Sequence, residues 1–343
     1  TFCKMNKWIL SACAFFVWGA ASVRAQQPVL RFGSDKTFKI AQFTDMHLDP
    51  SKPRRLADAE KTFARLDRIL AAERPDLVVF TGDVVTGKPA AEGMWRRLLD
   101  TMAARKVPFC VALGNHDSEQ DISRQQIGRI VTSYPESLNA LDAAGELADR
   151  ELEVLGSGSR RPALLLYCLD SHSESLLDGV EGYDWFRPEQ VAWLRDRCTA
   201  RRTANGGRAV PSLAFFHIVL PEYLSAWRNP SNSHIGRAAE DECPGALNTG
   251  MFAAMVESGS VMGTFVGHDH DIDYLVADKG ICLGYGRFSG DNTTYNNLRP
   301  GVRLLLLTEG ERGFETWIRE DDGRMVDHAR FAEGKITEIA VER

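Results

Sequence analysis

Gly82-Asp83-Val84-Val85-Thr86-Gly87-Lys88-Pro89 follows the apolar run Leu77-Val78-Val79-Phe80-Thr81 and misses a phosphate-binding P-loop, GxxxxGK[ST], by one letter. A P-loop needs a hydroxyl after its lysine to reach Mg²⁺, and Pro89 has none. Proline also pushes Lys88 away from helical geometry, whereas a P-loop lysine opens a helix. Asp83, placed inside an anion cradle, would repel phosphate. The P-loop reading fails, and Asp83 needs another partner.

The same junction of apolar run and polar tip recurs along the chain. Residues 39–44 read as a strand that runs into Asp45-Met46-His47. Residues 54–73 have helical spacing through Leu56, Phe63, Leu66, Ile69 and Leu70, and Pro75 ends them. Residues 77–81 are a short buried strand, 94–106 are helix-like, and 107–113 form a third strand. Alternating strands and helices imply parallel βαβ units. Further strands are expected at 162–169, 212–219, 261–266, 280–283 and 303–308, with helices at 188–197 and 251–257. Residues 228–248 read as a long polar loop of the kind that borders a site. With no internal repeat and no low-complexity linker, one catalytic domain is expected over residues 28–343.

The chemistry gathers where strands end. The tips are Asp45-Met46-His47, Gly82-Asp83, Gly114-Asn115-His116-Asp117, His217 after Phe215-Phe216, and Gly267-His268-Asp269-His270. Ligands of open α/β sheets collect beyond the carboxyl ends of strands. Five of the eight histidines lie at such ends; His172, His234 and His328 do not. A lone Asp-x-His or a lone strand histidine such as His217 is more often a satisfied core group. Recurrence at successive strand ends points instead to metal, and imidazole with carboxylate suits iron, zinc and manganese. Asp45, His47, Asp83, Asn115, His217, His268 and His270 are too many donors for a single tetrahedral site. One bridging carboxylate would give each of two ions four protein ligands, and such a pair clamps the attacking and leaving oxygens of phosphoryl transfer.

The ordered set DxH, GDxx, GNHD, a lone His and GHxH, running from Asp45 to His270, resembles the calcineurin-like metallophosphoesterase superfamily. FTDMH, PDLVVFTGD, ALGNHD, FFHIVLPEY and FVGHDHDIDY are similar to the branch near the purple acid phosphatase-like proteins. The resemblance implies a four-layer α/β/β/α sandwich with a dinuclear site at the strand ends. It implies that Asp45, His47 and His270 hold one ion, that Asn115, His217 and His268 hold the other, and that Asp83 bridges. His116 would face the substrate phosphate rather than a metal. The expected activity is hydrolysis of a small phosphoester by in-line attack of a metal-held hydroxide. A phosphomonoesterase is the first reading; a phosphodiesterase, or a non-catalytic scaffold of the same fold, is the alternative. Purple acid phosphatases carry a metal-bound Tyr three residues after the bridging Asp, where this chain has Thr86, so no charge-transfer colour is expected. Thr86 also stands where the protein-phosphatase branch places the Asp that supports its catalytic His, so what holds His116 is left open, with Asp117 and Asp271 as candidates.

Arg287 and Asn248 are candidates for gripping substrate, with Tyr223 and Asp269 as supports beside the ligands. His172 reads as structural. There is no G-x-S-x-G elbow and no HExxH, which removes serine-hydrolase and zincin readings.

Composition frames the rest. Of 343 residues, 44% are hydrophobic and 26% charged, as in an ordinary globular chain. Lys4 and Lys7 precede an apolar run from Trp8 to Trp18, and Val23-Arg24-Ala25 supplies a cleavage site. This is the layout of a signal peptide starting at Met5 and cut after Ala25, too short to span a bilayer, so export to a periplasm or the exterior is expected. Leu10-Ser11-Ala12-Cys13 resembles a lipoprotein box, but too little apolar sequence precedes Cys13. Without residues 1–25 the chain has 38 basic and 47 acidic residues, which gives no electrostatic pull towards nucleic acid or anionic membrane. Cys110, Cys168 and Cys282 sit in apolar runs as small hydrophobes, while Cys198 and Cys243 could pair in an oxidising compartment.

Overall fold

Side chains alternate across the strand Thr37–Phe43: Phe38 and Ile40 face one way, Ala41 and Phe43 the other, and all four are buried. A strand covered on both faces belongs between two layers. The structure, a computed structural model, describes residues 27–293 and 297–340, so the signal-like segment lies outside the described residues.

Two sheets make the frame. One runs, edge to edge, through Lys335–Glu338, Met325–Ala332, Gly313–Glu320, Gly301–Thr308, Thr37–Phe43, Leu77–Thr81 and Phe109–Ala112. The other runs through Leu30–Arg31, Arg150–Leu155, Pro162–Cys168, Ser212–Phe215, Val261–Val266, Ile281–Tyr285, Leu275–Asp278 and His234–Ile235. Phe38, Ile40, Leu77, Val79 and Cys110 of the first pack on Leu164, Leu166, Leu213 and Phe265 of the second, which forms the central core. The outer face of the first sheet, Phe43, Val78 and Phe80, is covered by Phe63 and Leu66 of helix Pro53–Glu73, Trp95 and Leu98 of helix Ala91–Arg105, and Ile127 of helix Arg124–Thr132. The outer face of the second, Leu165, Tyr167 and Ala214, is covered by Val191 and Leu194 of helix Pro188–Ala204 and by Met251 and Met255 of helix Met251–Ser258. These three cores separate four layers, α/β/β/α, as the resemblance implied. Each Leu, Ile or Phe so buried is worth about 1.5–3 kcal/mol.

Thr37–Phe43, Leu77–Thr81 and Phe109–Ala112 are parallel, as are Pro162–Cys168, Ser212–Phe215, Val261–Val266 and Ile281–Tyr285. The carboxyl ends of the two sets meet. Gln42, buried between the sheets, donates from Nε2 to the Val266 carbonyl at 2.9 Å and to Thr81 Oγ1 at 2.9 Å. Gly267 donates its N–H to the His217 carbonyl at 3.3 Å.

Several elements differ from expectation. The helix expected from residue 94 opens earlier, at Ala91, preceded by Ala90 in the left-handed region; Lys88 lies outside it, as expected. Arg124–Thr132, Arg150–Leu155 and the antiparallel strands after residue 312 carry mixed polar and apolar sequence that a search for continuous apolar runs passes over. All five cysteines among the described residues are free. Cys198 is buried with its Sγ 3.5 Å from the Tyr167 hydroxyl, while Cys243 is exposed in a loop, so the Cys198–Cys243 disulfide is not formed. No helix among the described residues is long and apolar enough to cross a membrane.

Candidate metal centre

The strand-end tips share an unusual backbone. Asp45, His47, Asp83 and His268 have φ of 50°, 43°, 50° and 81°. Such left-handed non-glycine residues cost about 1–3 kcal/mol each and persist only where their surroundings fix them. Here the tips brace one another: Asp45 N–H donates to the Gly82 carbonyl at 3.0 Å, and His47 N–H to the Asp83 carbonyl at 2.9 Å. Gly82 and Gly114 permit the close approach, since a Cβ on Gly82 would strike the His217 ring and one on Gly114 the Asp83 carboxylate.

Asp117 ties the second and third tips together. Its buried carboxylate accepts from the N–H groups of Val84 at 3.0 Å, Val85 at 3.2 Å and Gly114 at 2.9 Å. Burial, with the Asp83 charge adding to it, pushes the Asp117 carboxyl up to about 6. Asp117→Ala would strand three buried donors, each costing about 1–3 kcal/mol. A lowered denaturation midpoint with weakened metal retention is expected; a melt unchanged from wild type contradicts this role.

Two donor groups result. Asp45, His47, Asp83 and His270 each offer one ligand atom, all within 4.8 Å of one another. His47 Nε2 lies 3.1 Å from His270 Nε2 and 3.7 Å from Asp83 Oδ2, and His270 Nε2 lies 3.7 Å from Asp45 Oδ1. On the other side, Asn115 Oδ1 lies 3.1 Å from His217 Nε2 and 3.0 Å from His268 Nδ1. His217 Nε2 is 3.3 Å from Asp83 Oδ2, so Asp83 touches both groups.

The donor set fits metal ions. Asp83 Oδ2 and His268 Nε2 are buried with no hydrogen-bond partner. His217 Nδ1 donates to the Thr81 carbonyl at 2.7 Å, which fixes its tautomer and leaves Nε2 as a lone pair aimed at two oxygens. A lone pair facing acceptors is stable only with a cation between them or a proton on the ring. Burial alone would pull His217 down, but the Asp83 carboxylate outweighs it and pushes the imidazole up to about 10. Burial pulls His47 and His268 down to about 3, so both rings are neutral and able to ligate. Burial, reinforced by Asp83 and opposed by His217, pushes Asp45 up to about 7. Packing two carboxylates among four imidazoles is the environment a pair of cations would relieve.

Around this centre the remaining candidates separate. His116 donates its backbone N–H to Asp83 Oδ1 at 2.9 Å, yet its side chain is 41% exposed, while those of His47, His217 and His270 are 11% or less. Its ring centroid is 5.6 Å from that of His47. Burial lowers its pKa, but the Asp83 and Glu119 charges outweigh this and raise it. Neither candidate acid holds His116: Asp117 serves the backbone as above, and Asp271 accepts from Asn297 and Leu298. The carboxylate beside His116 is Glu119, which the sequence reading missed although it lies three residues along.

Arg287 is buried and ion-paired with Asp273 and with Glu320 at 3.2 Å, and it donates to the Arg299 carbonyl at 2.6 Å. Its guanidinium is committed to the fold, contrary to the expectation that it grips substrate. Asn248 donates to Glu222 at 2.7 Å and accepts from Gly250 N–H at 2.9 Å, so it serves the start of helix Met251–Ser258. Asp269 accepts from the Tyr285 hydroxyl at 2.6 Å and from Cys243 N–H, which anchors the long polar loop to the GHDH tip. Tyr223 is held in the core by Thr264 at 2.6 Å, and His172 by Gln190 at 2.9 Å. Thr86 donates its N–H to the Leu48 carbonyl at 3.2 Å. An aromatic ring packs against the centre from elsewhere: the Tyr183 ring meets His268 edge-on, with centroids 4.2 Å apart.

With the geometry established, comparison places the chain among known proteins. Residues 38–272 match the family model described as calcineurin-like phosphoesterase. The chain is 34% identical to "Probable inactive purple acid phosphatase 29" of Arabidopsis thaliana, over 87% of this chain and 86% of that protein. It is 30% identical to "Phosphatase DCR2" of Saccharomyces cerevisiae, over 82% of this chain and 53% of that protein. Its fold is similar to that of a dimetal phosphatase from Danio rerio, with a TM-score of 0.57 at 15% identity, over 86% of this chain and 98% of that one. A match over most of the chain, together with strand-end donors in the family's order, leads to one conclusion: the chain belongs to the calcineurin-like phosphoesterase family.

Proposed function

We propose that the protein is an exported, metal-dependent phosphomonoesterase. Asp45, His47 and His270 would hold one ion, Asn115, His217 and His268 the other, and Asp83 would serve both. The observation that carries this reading is the Asp83 carboxylate, buried, lacking a hydrogen bond at Oδ2, and within contact distance of both donor groups. When bound, a pair of manganese, iron or zinc ions would supply Lewis acidity and lower the pKa of water towards neutrality. The chain's own groups do the rest. Neutral His47 and His268 present lone pairs, and Thr81 fixes the His217 tautomer. His116, exposed at the rim, meets the phosphoryl oxygens or protonates the departing ester oxygen. Export rests on the signal-like run ahead of Ala25.

The printed names of the plant relatives support a second, non-catalytic reading of the same fold. The test is initial rates on an aryl phosphate monoester and the matching diester, with Mn²⁺, Zn²⁺ or Fe²⁺ added back after chelation. The monoester is expected to be cleaved faster. A faster diester makes the protein a phosphodiesterase, and no cleavage with any of the metals leaves the non-catalytic reading.

A further inference from the structure

His116 opens a 3₁₀ turn, His116–Ser118, and the N–H of Glu119 returns to the His116 carbonyl at 3.1 Å. Side chains three apart eclipse one another in this geometry. Glu119 Oε2 accordingly lies 3.0 Å from His116 Nδ1. The neighbouring acids are committed elsewhere, Asp117 to three backbone donors and Asp271 to Asn297 and Leu298. We propose that Glu119 is the positioning residue for His116: by accepting from Nδ1–H it fixes the imidazole's tautomer and plane, and leaves Nε2 as the atom that meets the substrate. This rests on the reading of His116 as the substrate-facing group. In the transfer, the ester P–O bond breaks as the oxygen of water bonds phosphorus. The step starts from the imidazolium: its Nε2 proton passes to the departing oxygen, leaving the neutral Nδ1–H form held by Glu119, and the proton given up by the attacking water returns to Nε2 through solvent.

A purely structural pair would behave differently. The two side chains are 41% and 54% exposed, and exposed ion pairs contribute about 0–1 kcal/mol to stability, so Glu119→Ala should fold as wild type does. The test uses the full chain loaded with zinc. Glu119→Ala should retain its metal and lose kcat about 10–100-fold, the usual cost of removing a group that orients a functional histidine. In a His116→Ala background the same substitution should change kcat by less than about twofold, because groups acting as one unit are not additive. Glu119→Gln, whose amide oxygen still accepts, should recover most of the loss. A readout independent of turnover is the two-bond ¹H–¹⁵N spectrum of His116: Nδ1–H in wild type, and a mixture with Nε2–H in Glu119→Ala. Equal losses with and without His116, or an Nδ1–H population unaffected by Glu119→Ala, overturn the proposal. A wild type that hydrolyses nothing defeats the proposed function instead, and the tautomer spectrum still decides the role of Glu119.

Discussion

Asp83→Ala is expected to leave the protein with at least one metal ion fewer per chain, whereas His116→Ala keeps its full complement and loses about 10²–10⁴-fold in turnover. The contrast follows from where the two side chains sit. Asp83 is buried against His47 on one side and His217 on the other, so its removal takes an anionic ligand from both donor groups. A unit-charge pair at 4 Å interacts by about 4 kcal/mol at an effective dielectric of about 20, and a doubly charged pair by about fourfold more. Without the Asp83 carboxylate, two cations held by these donor groups would not stay together. The electrostatics of the tip change as well, because the Asp83 charge is what raises His217. His116 makes its contact to Asp83 through its backbone, which alanine retains, and its side chain points into the exposed rim. Elemental analysis of the two purified variants decides between these roles. Equal metal loss in both would place His116 among the ligands and contradict the division.

Much of this site could be read from the sequence because it is local. Each donor lies within a few residues of a strand end, and a short, wholly apolar strand such as Leu77–Thr81 or Val261–Val266 is conspicuous by composition alone. The two-layer burial that makes those runs apolar also brings their ends together, so order along the chain foreshadowed proximity in space. What escaped was pairing that depends on side-chain direction. Asp117, adjacent to His116, was a natural guess for its support, but the 3₁₀ turn sends its carboxylate back to three backbone donors. The same turn eclipses His116 with Glu119, which would have been found by asking what a tight turn does at a spacing of three. Tyr183 approaches His268 from a loop some 85 positions earlier in the chain, and nothing in its neighbourhood marks it. Arg287 misled for the opposite reason: a cation after a core strand looks available until its partners Asp273 and Glu320 come into view.

Other omissions were signals left unused. Ser123-Arg124-Gln125-Gln126 spells a capping box, and the Ser123 hydroxyl does accept from Gln126 N–H while the Gln126 side chain accepts from Ser123 N–H. The strands Gly313–Glu320 and Met325–Ala332 extend the first sheet by antiparallel pairing, and single polar residues, Glu315, Arg319 and Arg330, interrupt their buried ones. Strands of that kind are recognised by period-two patterning and not by continuous hydrophobicity.

The central claim is that the buried donors of Asp45, His47, Asp83, Asn115, His217, His268 and His270 work by holding metal. Its most direct test is hydrolysis of an aryl phosphate monoester measured alongside elemental analysis, before and after chelation and after metal is returned. Turnover is expected to vanish with the metal and to return with Mn²⁺, Zn²⁺ or Fe²⁺. Full turnover in a preparation shown to be metal-free would contradict the account.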